Sequence, residues 1–131
     1  MTSRERVLAA LEHREPDRVP LDLGGSFVTS IHAVALDELR RHLRLQERPV
    51  KVVDAYQMLG EVTDDLRGAL GIDTVGVGLG RTMFGYPAAD WKPWNLPEGT
   101  PVLVPGLFNT QPEKNGDLLQ YPEGDRKAPP S

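Results

Sequence analysis

Two short apolar stretches of this 131-residue chain end beside residues that could take part in chemistry. Asp22 lies at the end of the first stretch, where its carboxylate could accept a substrate N–H or act as a base. Arg81 follows the second stretch, where its guanidinium could pair with an acidic substrate group. Each residue has an ordinary alternative, which is favoured: a turn-forming aspartate before Gly24 and Gly25, and a solvated surface arginine.

Glycines and one histidine complete the candidate site. Gly76, Gly78 and Gly80 alternate along the second stretch, so they would leave one face of a strand bare and make room for a flat ligand. Close packing against another backbone explains them as well and is favoured, and the spacing is not that of a phosphate-binding loop. His32 stands at a predicted helix start and could donate a proton or bind a ligand, but a solvated or packed histidine is favoured.

The first forty-five residues predict a helix, a strand and a second helix. Thr2 and Ser3 are candidate N-caps, and the apolar spacing predicts a helix to about His13. Alternation of apolar and polar residues over 19–23 then predicts a strand, which Pro16 separates from the helix. Apolar residues at helical spacing predict the second helix over about 30–45.

The next segment predicts a short extended stretch over 50–53, a turn capped by Asp54, and a third helix. Thr63 is the N-cap of that helix, which spans 63–70, and Gly71 is its left-handed terminal residue. Residues 72–79 alternate again and predict a second strand.

The composition of the chain changes after residue 85, since nine of the 12 prolines lie beyond that position. We therefore divide the chain into residues 1–85 and a Pro-rich part, residues 86–131. Within the second part, 102–104 and 118–121 flank an Asn-Gly pair and predict a β-hairpin. Trp91 and Trp94 are candidates for a lid, although ordinary packing of a loop is favoured.

Composition excludes several classes of function. The formal net charge of -4 and the absence of a basic stripe argue against a nucleic-acid partner. The chain has no cysteine, so it holds neither a thiolate nucleophile nor a cysteine-based zinc site. Because the charged amino terminus has no apolar run, we expect a cytoplasmic protein without a membrane partner.

The order of these motifs resembles the uroporphyrinogen decarboxylase family, which also includes methyltransferases that move methyl groups between corrinoid proteins and thiols. The likeness is strongest over residues 1–80 and includes the helix that starts near Ile31. The motifs are residues 4–11, 16–20, 54–57 and 70–75, which read RERVLAAL, PDRVP, DAYQ and LGIDTV. The resemblance implies an α/β fold, namely the amino-terminal part of a (β/α)8 TIM barrel, with the hairpin as an excursion. Such a barrel usually needs ~250 residues.

Two departures bear on the reaction. The decarboxylases carry an arginine-rich stretch after the first strand, whereas this chain has no arginine between Arg18 and Arg40. They also end the next core strand with an aspartate, and the corresponding position here is about Gly80. The resemblance therefore favours methyl transfer slightly over decarboxylation.

The resemblance implies an enzyme whose substrate is a tetrapyrrole, a corrinoid protein or a methylated small molecule, and it is compatible with a homo-oligomer. It implies no cofactor within these residues, and it places a zinc site of the methyltransferases in a later half. We expect the 131 residues alone to be inactive, because they can close neither a barrel nor its mouth. The alternative is a non-catalytic binding or assembly module derived from the same barrel.

Overall fold

The computed structural model describes residues 1–130 and has a mixed α/β architecture. Two short 3-10 turns, Phe27–Thr29 and Pro122–Gly124, accompany the main elements. The helices are α1 (Ser3–Leu11), α2 (Ala33–His42) and α3 (Asp64–Leu70). The strands are β1 (Val50–Asp54), β2 (Leu59–Gly60), β3 (Lys92–Asn95), β4 (Pro101–Val104), β5 (Thr110–Pro112) and β6 (Leu118–Gln120).

The helix ends follow local capping chemistry. At the start of α1, the Thr2 hydroxyl accepts the Glu5 amide, and the Glu5 carboxylate accepts the Thr2 amide. At the end of α3, Gly71 adopts a φ of 66°, as predicted for a left-handed terminal residue. These two ends confirm the predicted first and third helices to within two residues. Helix α2 begins later than predicted, because His32 rather than Ser30 is its N-cap.

A four-stranded sheet forms the centre of the fold, with strand order β2-β1-β4-β3. β1 pairs in parallel with β4, and the other pairs are antiparallel. Helix α2 packs against β1 and β2, so that Leu36 and Val52 are fully buried between the layers. Val104 of β4 and Leu66 of α3 are fully buried in the same core.

The predicted strands at 19–23 and 72–79 are wrong as strands, since neither belongs to a sheet. We call residues 19–24 the first extended segment and residues 72–80 the second. A single backbone hydrogen bond joins them, from the Asp73 amide to the Leu21 carbonyl at 2.8 Å. Pro20 has no amide to donate, and the Leu21 amide binds the Asp73 carboxylate instead of a carbonyl, so a regular ladder does not form.

The two extended segments nevertheless run parallel. Leu21 contacts Asp73, and Asp22 contacts Thr74, each across 52 positions of sequence. Gly24 contacts Gly76, because a Cβ on Gly76 would lie 2.5 Å from the Gly24 carbonyl oxygen. Since the numbering increases together along both segments, their directions are the same. Helices α2 and α3 lie in the connection between them.

The carboxy-terminal hairpin is present, but its first strand differs from the predicted one. β5 pairs with β6 around the Asn-Gly turn, in register from Thr110 with Gln120 to Pro112 with Leu118. Residues 102–104 instead belong to β4, where β1 and β3 cover both of its edges. Sequence alternation identified the strand but could not identify its partner.

The α/β class that the sequence predicts is confirmed. Residues 1–130 form no closed barrel, so the structure does not show the predicted (β/α)8 architecture. Each helix among these residues is too short or too polar to cross a membrane.

Candidate functional site

A cleft of about 1050 Å³ opens between the two extended segments and the connection from β2 to α3. Gly24, Gly25, Ser26 and Phe27 line one side of it. The second extended segment lines another side from Val75 onward. Four of the candidate site residues, Gly76, Gly78, Gly80 and Arg81, therefore meet in one cleft.

The three alternating glycines serve two purposes. Gly76 permits close approach of the two segments, because a Cβ there would meet the Gly24 carbonyl oxygen. Gly78 and Gly80 have no atom of the described residues within 4 Å of a built Cβ, so their bare backbone faces open space. Close packing thus explains Gly76, whereas Gly78 and Gly80 widen the cleft.

Apolar side chains of the second extended segment are left uncovered. Val75, Val77 and Leu79 are 65%, 91% and 92% exposed. Apolar side chains clustered with such exposure are a feature of surfaces that bind a ligand or another protein segment. This part of the cleft is apolar rather than polar.

Asp22 forms the turn that sequence favoured and also contacts the second segment. Its Oδ1 accepts the Gly25 amide at 3.0 Å and the Thr74 hydroxyl. The hydrogen bond from Thr74 lowers the pKa of the Asp22 carboxyl, so Asp22 is an anion at neutral pH. Asp22 stands beside the cleft, next to Gly24 and Gly25, rather than in its lining.

His32 is not brought into the cleft. Its Nδ1 accepts the Val34 amide at 3.3 Å and so caps helix α2. The residue is exposed and is absent from the lining of the cleft. The geometry of His32 therefore fits the favoured prediction of a structural role. No contact of His32 supports a role in proton donation.

The charged side chains of the cleft lining balance each other and are largely engaged. Three arginines, Arg48, Arg67 and Arg81, lie among three carboxylates, Glu61, Asp64 and Asp65. Arg81 donates to the Gly85 carbonyl, and Arg67 donates to Asp64 and to the Val62 carbonyl. Arg48 binds Asp65 at 2.9 Å. The cleft therefore presents no unopposed cationic clamp for a polyanionic ligand.

No family model, curated protein sequence or solved structure matches the chain. The assignment of a function therefore depends on the sequence and on the geometry of the two extended segments and the cleft.

Sequence reasoning missed two buried ion-pair clusters. The side chain of Arg40 is 5% exposed and binds Asp65 and Thr63, which holds the pKa of the Asp65 carboxyl far below its usual range. Arg6 binds Asp17 and Asp73 in the second cluster. Each partner pair is separated by many residues, so no local spacing pattern signals it.

The two tryptophans do not form a lid. Trp94 packs edge-on against Phe108, with ring centroids 5.1 Å apart. Trp91 lies under the Lys51 ammonium group, which is 5.4 Å from the ring centroid. Both rings pack onto their own sheet region, as the favoured alternative predicted. Within residues 1–130, no group of three or more His, Asp or Glu side chains has the arrangement of a metal site.

Proposed function

We propose that this chain supplies the first βα units of a (β/α)8 barrel of the uroporphyrinogen decarboxylase family. In this proposal, the two extended segments pair as neighbouring strands once the barrel is complete, and the cleft is part of the mouth that receives the substrate. The complete enzyme acts on a tetrapyrrole, a corrinoid or a methylated small molecule, with methyl transfer favoured over decarboxylation.

One observation carries the proposal: the two extended segments run parallel at a constant offset of 52 residues. Parallel neighbours require a crossover connection, which is usually helical, and here the connection contains α2 and α3 together with the short strands β1 and β2. Adjacent strands of a (β/α)8 barrel have this relationship. Barrel enzymes carry their functional groups at the carboxyl ends of the strands, where Asp22, Gly80 and Arg81 stand.

The uncovered apolar residues support the same proposal. Val77 and Leu79 would meet water almost completely if residues 1–130 were the whole folded unit. In a barrel, further strands and helices cover such side chains. The irregular pairing of the two segments also fits strands that lack their next neighbour.

The charges of the cleft favour methyl transfer. A substrate with several carboxylates needs free guanidinium groups, whereas Arg48 and Arg67 are already paired with Asp65 and Asp64. The cleft is also lined by the apolar Val75 and Val77 and by Gly78, which has no side chain. These residues suit a flat, largely apolar ligand surface better than a substrate with several carboxylates.

The reaction moves a methyl carbon from cobalt, which keeps the electron pair of the broken bond, to a thiolate sulfur, where a new bond forms. This chain has no cysteine, so in this proposal the zinc site that generates the thiolate is formed by residues other than these 131. The role of these residues is to shape the mouth and bind the methyl carrier.

Sequencing the messenger RNA beyond the codon for Ser131 gives the first test. We expect further βα units that include a His-x-Cys motif and another cysteine. A stop codon directly after Ser131 would count against every enzymatic assignment and would favour a binding or assembly module.

The complete protein, once purified, gives the second test. We expect a thiol-dependent loss of methylcobalamin and no formation of coproporphyrinogen from uroporphyrinogen; the opposite result would replace methyl transfer with decarboxylation. Gly78→Leu should abolish the activity by filling the cleft, whereas Gly68→Leu, on the exposed face of α3, should not. Equal activity of the two variants would show that the cleft is not the substrate site.

A further inference from the structure

We propose that Arg6, Arg18 and Asp73 form a register clamp, which fixes the alignment of the two extended segments and so places Asp22 against Thr74 beside the cleft. The clamp acts through position and does not contact a substrate. It is a property of the present residues, so it does not depend on the proposed function.

The backbone amide and both carboxylate oxygens of Asp73 are engaged in this cluster. Its side chain is completely buried, and its amide donates to the Leu21 carbonyl while its Oδ2 accepts the Leu21 amide at 3.0 Å. Both backbone groups of Leu21 are therefore held by one residue. Arg6 donates to Asp73 Oδ1 at 2.5 Å. A slip of one position would take the Leu21 amide away from the buried Asp73 carboxylate, and a buried charge with a missing hydrogen bond is destabilising.

Arg18 binds the same carboxylate from the other side. Its guanidinium lies 2.8 Å from Asp73 Oδ2, and its Nη2 donates to the Gly71 carbonyl at 2.7 Å. Arg18 directly precedes the first extended segment, and Gly71 directly precedes the second. The two segments are therefore joined at their starting points.

Arg6 connects the clamp to helix α1. Only Arg6 and Ala9 are buried among the residues of α1, whereas Leu8 and Leu11 are 39% and 70% exposed. Arg6 also donates to Asp17 through its Nε at 2.6 Å. The ion pairs of Arg6 therefore help to hold α1 against the fold, alongside the burial of Ala9.

Beyond Leu21, no backbone hydrogen bond of the described residues joins the two segments. The contacts further along are the side-chain hydrogen bond from Thr74 to Asp22 and the close approach of Gly76 to Gly24. The alignment at Asp22 consequently depends on the clamp, because no ladder enforces it.

Titration of the Asp22 carboxyl by carbon-13 NMR tests the clamp in the 131-residue chain. Asp73→Asn should raise the pKa of Asp22 toward the ordinary value of an aspartate, because Thr74 moves away. Loss of a nearby negative charge would by itself lower that pKa, so a rise reports the change of position. An unchanged or lower pKa of Asp22 in the folded variant would overturn the proposal.

Asp65→Asn is the matched control, because Asp65 also pairs with a buried arginine but touches neither extended segment. Asp65→Asn should destabilise the chain and leave the pKa of Asp22 unchanged. If Asp65→Asn raised the pKa of Asp22 as much as Asp73→Asn does, the effect would come from a general loss of stability, and the proposal would be overturned. If Asp73→Asn does not fold, Arg18→Gln is the second test of the clamp. The Arg18 side chain is 44% exposed, so its replacement should be tolerated by the fold. Hydrogen exchange at the Asp73 amide should become roughly tenfold faster relative to α2. An unchanged rate would overturn the proposal.

Discussion

Thr74 donates its hydroxyl hydrogen to the carboxylate of Asp22, which lies 52 positions earlier in the chain. The bond joins two extended segments that belong to no sheet, and it lies beside the cleft that these segments help to form. Asp22, which the sequence alone identifies as a local turn residue, therefore also shows the alignment of two segments that are far apart in the chain.

The close approach of Gly76 to Gly24 predicts a sharp difference between two glycines of the same segment. Gly76→Ala should lower the free energy of unfolding by about 1–3 kcal/mol, because the added methyl group would overlap the Gly24 carbonyl oxygen. Gly78→Ala should be neutral or stabilising by up to about 1 kcal/mol, since open space surrounds that position. Urea denaturation measures both values, and equal destabilisation by the two substitutions would contradict the close approach.

Helix α3 offers a second matched pair. Gly68 is exposed in the helix interior, so Gly68→Ala should raise the free energy of unfolding by about 0.5–1 kcal/mol. Gly71 has a φ of 66°, so Gly71→Ala should lower it by about 1 kcal/mol. Thermal unfolding followed by circular dichroism should show opposite shifts of Tm. Shifts of the same sign would mean that α3 does not end at Gly71.

Stability should fall in acid because of Asp73. The hydrogen bond from the Leu21 amide, with help from Arg6 and Arg18, lowers the pKa of Asp73 from 3.8 to about 2. The pKa of Asp73 is lower in the folded chain than in the unfolded chain. The ionised Asp73 carboxylate therefore stabilises the fold above the unfolded pKa, and this stabilisation is lost as the pH falls through the folded pKa. Urea midpoints measured between about pH 4 and pH 2 should decrease less in Asp73→Asn than in the wild type. Glu98→Gln, at an exposed position, should keep the wild-type dependence, and identical curves for all three proteins would contradict the assignment.

Tyr86 is a buried phenol whose hydroxyl has no hydrogen-bond partner among the described residues. Burial raises its pKa to about 12. Tyr86→Phe should therefore leave the stability unchanged or raise it by about 1 kcal/mol, because it removes an unsatisfied buried group. Ultraviolet titration should show an ionisation near pH 12 that is present in the wild type and absent from Tyr86→Phe. A destabilised Phe variant would indicate a hydrogen bond that the structure does not contain.

Local chemistry explains which elements the sequence predicts well. The Thr2 capping box and the Gly71 terminus depend on residues that are neighbours in the chain, so their spacing alone identifies them. The hairpin turn is local for the same reason. Of the six candidate site residues, the cleft collects Gly76, Gly78, Gly80 and Arg81, which are also neighbours in sequence.

Long-range relationships explain what the sequence did not predict. The pattern of residues 102–104 indicates a strand, but its pairing with β1 across some fifty residues depends on the whole core. The alternation of 72–79 indicates a strand as well, yet a strand needs partners, and the Asp73 carboxylate takes the amide that a ladder would use. The buried pairing of Arg6 with Asp73 has no local signature at all.

Cysteine cross-linking tests the parallel alignment most directly, because the chain has no cysteine of its own. A parallel pair at an offset of 52 places Leu23 beside Val75, whereas an antiparallel pair centred on Asp22 and Thr74 would place Leu21 beside Val75. We expect oxidation of the Leu23→Cys, Val75→Cys variant to give an intramolecular disulfide and the Leu21→Cys, Val75→Cys variant to stay reduced. A disulfide in the second variant alone would contradict the parallel arrangement.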